Sequence, residues 1–262
     1  MQGTVSKGTV SGGNMKKTKL DNRKLVTASI LGAITVVLGM TPLGLIPLGV
    51  INATTMHIPV IIAAIVEGPA VGALVGLIFG LSSLANAFIR PTPIAFVFYN
   101  PLISILPRIL IGIVSYYAYH GVKKASSKNS KTIARLIWIL ISLALVYLLY
   151  KDIKIGASPL NITIVIILLA ISIGLFVYSR KSSNLDFPVA IGAFAGSMTN
   201  TILVLGGIYL IYAEKYVEAL NIPLENAKSA ILGVSVTSGI PEAIFSMIIT
   251  TAVVKAVKRT RR

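Results

Sequence analysis

The chain has 262 residues, 55% of them hydrophobic and 12% charged, with a mean hydropathy of +0.86. Soluble domains carry about 25% charged residues, and several stretches here approach the roughly 20 apolar residues that cross a bilayer, so the composition excludes an ordinary soluble domain. The net charge of +16 does not point to nucleic acid, because eighteen of the 24 Lys and Arg residues cluster beside apolar spans, the pattern of the positive-inside rule.

Residues 1–24 are polar and rich in Gly, Ser, Thr and Lys. They contain no apolar signal-peptide core and read as a disordered basic cytoplasmic tail. Span one follows at about 25–40, then an uncharged Pro/Gly-rich loop at 41–55. Span two covers about 56–66. Glu67-Gly68-Pro69 reads as a turn, with Pro69 suited to the first turn of span three, about 70–87. A loop with Arg90-Pro91-Thr92-Pro93 leads to Asn100-Pro101 and span four, about 102–119. A basic linker precedes spans five and six, about 133–150 and 160–178, which are Leu/Ile-rich. Span seven is about 187–212. An amphipathic segment at 214–226 precedes span eight, about 227–254.

With the N-terminus in the cytoplasm, eight spans place all four basic clusters on the inner side. Both termini are then cytoplasmic, and Glu67 falls at the inner end of a hairpin. The pattern predicts an all-α polytopic plasma-membrane protein; the alternating ten-residue segments of a β-barrel do not occur.

Gly68, Gly72, Gly76 and Gly80 recur every four residues, giving a groove for close backbone approach. Span one has a shorter version in Ala28/Gly32 and Ser29/Ala33, and span seven has Gly192/Gly196 and Ala193/Ser197. Such stripes serve internal packing or the docking of another membrane subunit. Span one is the better candidate for docking, because its small face is otherwise unemployed.

Arg108 lies within span four, where a charge is costly and is either paired or functional. Glu242, in Ser238-Gly239-Ile240-Pro241-Glu242, is its natural partner at comparable depth, and the Gly and Pro there break span eight. Asn100 and Asn200 are amides in the outer halves of their spans. Asn86, Arg90, Tyr99 and His57 lie near the outer ends. Together they suit an outward cavity for a small polar, anionic solute, although each singly also fits a packing role.

There is no G-x-x-x-x-G-K-[ST], so no ATPase of its own is expected, and no H-E-x-x-H or Ser/His/Asp set. No catalytic residues, cofactor or metal site are predicted. The absence of Cys excludes disulfides and thiolate chemistry.

The runs MHIPVIIAAIVEGPAVGALVGLIFG, NPLISILPRILIG and SMTNTILVLG and the late GIPEAI occur in an order that resembles the substrate-binding S-component of energy-coupling factor (ECF) vitamin transporters, nearest to the pantothenate-type carriers. The resemblance implies a six-helix core, with helices one to four at 25–120 and five and six at 186–262. The pair at 121–185 is an insertion between core helices four and five. It implies binding of a water-soluble vitamin or precursor at the outer face, with Asn86, Arg90, Tyr99, Asn100, Arg108, Asn200 and Glu242 as candidate contacts. Two outer arginines suit a carboxylate, so pantothenate comes first, with pyridoxine-type, folate, lipoate and cobalamin substrates open. The implied partners are a transmembrane coupling subunit, met by Ala28, Ser29, Gly32 and Ala33, and two cytoplasmic ATPases. The alternatives are a stand-alone proton-coupled transporter using Arg108 and Glu242, or a ligand-free structural membrane protein.

Overall fold

The computed structural model describes residues 22–41, 44–48, 51–124, 127–154, 159–181 and 186–260. The tail expected over 1–24 lies outside the described residues as far as Asp21. Parts of the predicted linkers, at 125–126, 155–158 and 182–185, lie outside them too.

The protein is almost entirely helical. Helix α1 runs Asn22–Met40, α2 Ile58–Glu67, α3 Pro69–Ile89, α4 Pro101–Ser104 and α5 Leu106–Lys124. They are followed by α6 Ser127–Lys154, α7 Pro159–Lys181, α8 Phe187–Ala219, α9 Ala227–Thr237 and α10 Gly239–Thr260. Among the described residues five helical segments are long and apolar enough to cross a membrane: Asn22–Met40, Pro69–Ile89, Pro101–Lys124, Phe187–Ala219 and Leu224–Thr260. Large apolar side chains such as Ile34, Phe88, Ile202 and Leu210 stand exposed on their outer faces. In water such a surface would be an aggregation liability; around a bilayer protein it is the lipid face. This is a multi-pass membrane protein.

Several elements depart from the expected spans for identifiable reasons. The loop expected at 41–55 contains an antiparallel hairpin, β1 Leu45–Leu48 and β2 Ile51–Thr54, with Leu45 opposite Thr54. Helix α2 has ten residues, about 15 Å at 1.5 Å per residue, which is half the hydrocarbon thickness. All its residues from Ile58 to Ile65 are buried, so it is a core helix rather than a lipid-facing span.

Span four is broken at Ile105. Asn100 caps α4 by accepting a hydrogen bond from the Leu102 N–H, 3.0 Å, and Pro107 sits in the first turn of α5, where its missing N–H is tolerated. Span eight is broken between α9 and α10 at Ser238-Gly239, as Gly239 and Pro241 predicted. Of the segment expected as a separate amphipathic element, 214–219 continues α8, whose irregular backbone is at Tyr212, and Leu224–Asn226 form a short 3-10 turn before α9.

The glycine stripe is structural. A Cβ at Gly72 would meet Ala64 and Gly112, one at Gly76 would overlap the Arg108 carbonyl, and one at Gly80 would lie 2.7 Å from Ile105 Cα. Gly72, Gly76 and Gly80 therefore let α3 pack backbone to backbone on α5. Gly68 does a different job. Its φ of 111° is strained for an L side chain, and it forms the turn between α2 and α3. Gly192 and Gly196 seat α8 against Ser115 and Tyr119 of α5 and Ile61 of α2.

The ends of these helices sort into two groups. The α2–α3 corner, the C-terminus of α5 and the C-terminus of α10 surround one cavity. Thr27 of α1 donates to Glu67 there, 3.2 Å, and Lys258 of α10 binds Asp186 at the start of α8, 2.6 Å. Arg23, Lys24, Lys123, Lys124, Lys258 and Arg259 all belong to this end. The other end carries the second half of α3, the breaks in spans four and eight, and the hairpin. Helices α6 and α7 pack mainly on each other, with Ser142 and Ser172 in hydroxyl contact at 3.0 Å. They touch the rest of the bundle chiefly through α6 against α8 and α9.

Candidate functional site

The two helix breaks and the hairpin enclose a cavity of about 460 Å³, within the roughly 300–1,000 Å³ of small-molecule sites. Five of the seven predicted contacts line it: Asn86, Arg90, Arg108, Asn200 and Glu242. Asn86 comes from the last turn of α3, where it donates to the Gly39 carbonyl at 3.0 Å, and Arg90 is the residue that ends that helix. Asn200 comes from the middle of α8, Arg108 from the start of α5 and Glu242 from the first turn of α10. Because α5 and α10 both begin here, their positive dipole ends lie at the cavity. A broken span is tolerated at membrane depth where it lines such a cavity.

Arg108 is 5% exposed. One of its Nη groups donates to the Ile103 carbonyl across the α4–α5 break, and its guanidinium carbon lies 5.3 Å from the Phe79 ring centre and 5.5 Å from that of Phe98. Ring faces stabilise a cation that has left water. Among the described residues its Nε–H has no hydrogen-bond partner, and neither has the side-chain oxygen of Asn200. Buried polar groups left unmet in this way are costly.

Glu242 does not ion-pair with Arg108, contrary to the sequence expectation. One carboxylate oxygen accepts from the backbone N–H of Thr54 at 3.0 Å and from the Thr54 hydroxyl at 2.8 Å. The carboxylate is thus held by the end of the β hairpin and by its place in the first turn of α10. The guanidinium is held instead by two rings and a carbonyl.

Two predicted contacts fall elsewhere. Asn100 is consumed by the α4 cap, and its amide reaches Tyr212 Oη at 3.5 Å. Tyr99 stacks on Phe88, ring centres 4.4 Å apart, and is 40% exposed. His57 is fully buried at the start of α2 and does not line the cavity. The sequence reading missed Thr54, Phe79, Phe98 and Ser238. Ser238 stands directly before the Gly-Ile-Pro-Glu break and was legible there. Thr54 and the two Phe residues carried no local signal, since their roles depend on long-range contact.

The four residues expected to meet a coupling subunit divide into two pairs. Ala28 and Gly32 are buried against the bundle, with Ile78 of α3 filling the space a Cβ at Gly32 would need. Ser29 and Ala33 face outward, flanked by exposed Ile30, Ile34 and Val37.

A bundle of apolar helices, two spans of it interrupted around a cavity that carries Arg, Asn and Glu side chains, defines a multi-pass membrane protein with a candidate small-molecule site. Residues 23–254 match the family model described as the ECF transporter, substrate-specific component, and the chain belongs to that family. It is also similar to the pantothenic acid transporter PanT of Lactococcus lactis subsp. cremoris (strain MG1363), 26% identical over 226 residues, covering 80% of each chain. The family and this relative are transporters, not enzymes.

Proposed function

We propose that the chain is the vitamin-binding subunit of an ATP-driven importer, with pantothenate as its substrate. The observation that carries this is the cavity itself. Among the described residues it holds Arg90 and Arg108 against one carboxylate, that of Glu242, and the Arg108 Nε–H has no partner. A carboxylate on the substrate would take the guanidinium in a charge-assisted hydrogen bond. The Asn200 oxygen would accept from a hydroxyl or amide N–H, both of which pantothenate has. Similarity to PanT supports the same choice. The import energy comes from a transmembrane coupling subunit and two ATPases on other chains, and Ser29 and Ala33 lie on the docking face of α1.

The chain crosses the plasma membrane eight times in this reading, with α6 and α7 inserted in a six-helix core and α2 completing its crossing through the hairpin region. Both termini are cytoplasmic and the cavity opens outward. The gathering of basic residues at one end of the bundle supports that orientation. The lack of native Cys makes it directly testable. A cysteine at Thr92→Cys is expected to react with an impermeant maleimide in intact cells, and one at Lys124→Cys only after lysis. The reverse pattern overturns the orientation.

Purified protein is expected to bind pantothenate at nanomolar concentration in a calorimetric titration, in preference to pyridoxine, folate, lipoate and cobalamin. Uptake into proteoliposomes is expected only with the coupling subunit, both ATPases and ATP. Tight binding of another vitamin instead overturns the substrate. Uptake by the lone chain, abolished by an uncoupler, overturns the ATP-driven reading in favour of proton coupling through Arg108 and Glu242.

A further inference from the structure

A second cavity, about 370 Å³, lies at the basic end of the bundle, walled by the α2–α3 corner and the last turns of α5 and α10. Its groups are unusual for a packing void. Lys258 Nζ donates to Asp186 at 2.6 Å and to Tyr119 Oη at 3.2 Å, which uses two of its three protons. Tyr119, accepting that bond, keeps its own O–H to donate. Lys123 Nζ stands 5.5 Å from the centre of the same Tyr119 ring, and Lys258 Nζ 5.1 Å. Two ammonium groups therefore flank one phenol. Lys123 is bound to no carboxylate among the described residues. Glu67, the acid in the wall, is engaged by Thr27. His120 Nδ1–H donates to the Tyr116 carbonyl at 3.2 Å.

The donors of Lys123, Lys258 and Tyr119 left unused among the described residues thus surround one space large enough for a small ligand. A compact anion with several acceptor oxygens satisfies all three. We infer that this cavity binds the phosphate headgroup of an anionic phospholipid of the inner leaflet. The inference rests on the orientation proposed above, which sets this end at the cytoplasmic surface. Basic clusters between helices at that surface are suited to anionic headgroups, and Tyr residues to the interface depth. At the same end of the bundle, Leu25 and Val26 of α1 are exposed apolar side chains on the lipid-facing surface. None of these groups belongs to the vitamin cavity at the other end.

The test is native mass spectrometry of the full chain in detergent, titrated separately with phosphatidylglycerol and phosphatidylcholine. Preferential binding of phosphatidylglycerol is expected. Lys123→Gln is expected to weaken it about fivefold, the effect of one Lys beside an anionic headgroup. Tyr119→Phe, which keeps the ring and loses the donor, is expected to weaken it further when combined. Lys124→Gln, on the same helix end outside the cavity, is expected to change nothing. Equal binding of the two lipids, or equal effects of the Lys123 and Lys124 substitutions, overturns the inference. Displacement of the lipid by equimolar inorganic phosphate overturns it in favour of a soluble anion. Loss of assembly with the coupling subunit in Lys123→Gln, with lipid binding intact, overturns it in favour of a protein-docking cavity. Vitamin binding measured in the same samples separates failure of this site from failure of the proposed function.

Discussion

Arg108→Ala is expected to raise the dissociation constant for the vitamin about 30-fold or more, while the protein still accumulates and stays monodisperse. The magnitude follows from removing a buried charge that holds an opposite charge, which costs about 2–5 kcal/mol, with about 1.4 kcal/mol for each factor of ten. Most of this is expected in the dissociation rate, because the cation acts after the solute has entered. The variant keeps a folded core for a specific reason. The protein's own demands on Arg108 are one hydrogen bond to the Ile103 carbonyl and contact with two Phe rings, and no buried acid loses its partner, since Glu242 is held by Thr54. Had the two charges been paired, truncation of either would have left an uncompensated charge. Calorimetry on purified variants, with expression and melting measured alongside, checks this. A loss of accumulation matching the loss of affinity makes Arg108 a structural residue.

Ala33→Trp is expected to abolish uptake in proteoliposomes holding all four proteins, with vitamin binding unchanged. Ala33 is exposed and sits one helical turn from exposed Ser29, so a large ring would stand where a partner helix approaches closely. Gly32→Trp is the informative contrast. At that position even a Cβ lies 2.7 Å from Ile78 Cδ1, so the substitution separates α1 from α3 and is expected to lower the melting temperature and vitamin binding together. Uptake by Ala33→Trp at the normal rate places the docking face elsewhere.

These two substitutions also show which features were legible before the structure. The spacing of small residues along span one was visible, as was their suitability for helix contact. Ala28/Gly32 and Ser29/Ala33 are equivalent as patterns, differing only by one residue of helix rotation. Packing on α3 through Ile78 decides that the first pair is used inside the chain. The stripe of Gly72, Gly76 and Gly80 was equally readable as a close-approach surface, and the structure assigns it to α5.

The candidate site divides in the same way. Arg108, Glu242 and Asn200 stood out because polar groups in apolar runs are expensive, and that cost is a local property. Ser238-Gly239 and Pro241 marked the interruption of the last span for the same reason. Asn100 and Tyr99 carried the same kind of signal and proved to be a helix cap and a ring stack. Thr54 carried none, being one of two adjacent threonines in a loop, yet it holds the carboxylate of Glu242 from 188 positions away.

Residence in the membrane, helical class, the basic clusters and the breaks in the chain follow from hydropathy, charge and turn chemistry over windows of a few to about 20 residues, so they are written in the linear order of the amino acids. The face each helix turns inward, the separation of Arg108 from Glu242 and the closing of a cavity by the hairpin depend on contacts between residues far apart in the chain. Those were settled only when α3 seated on α5 through its glycines and the two interrupted helices, α5 and α10, began at the same cavity.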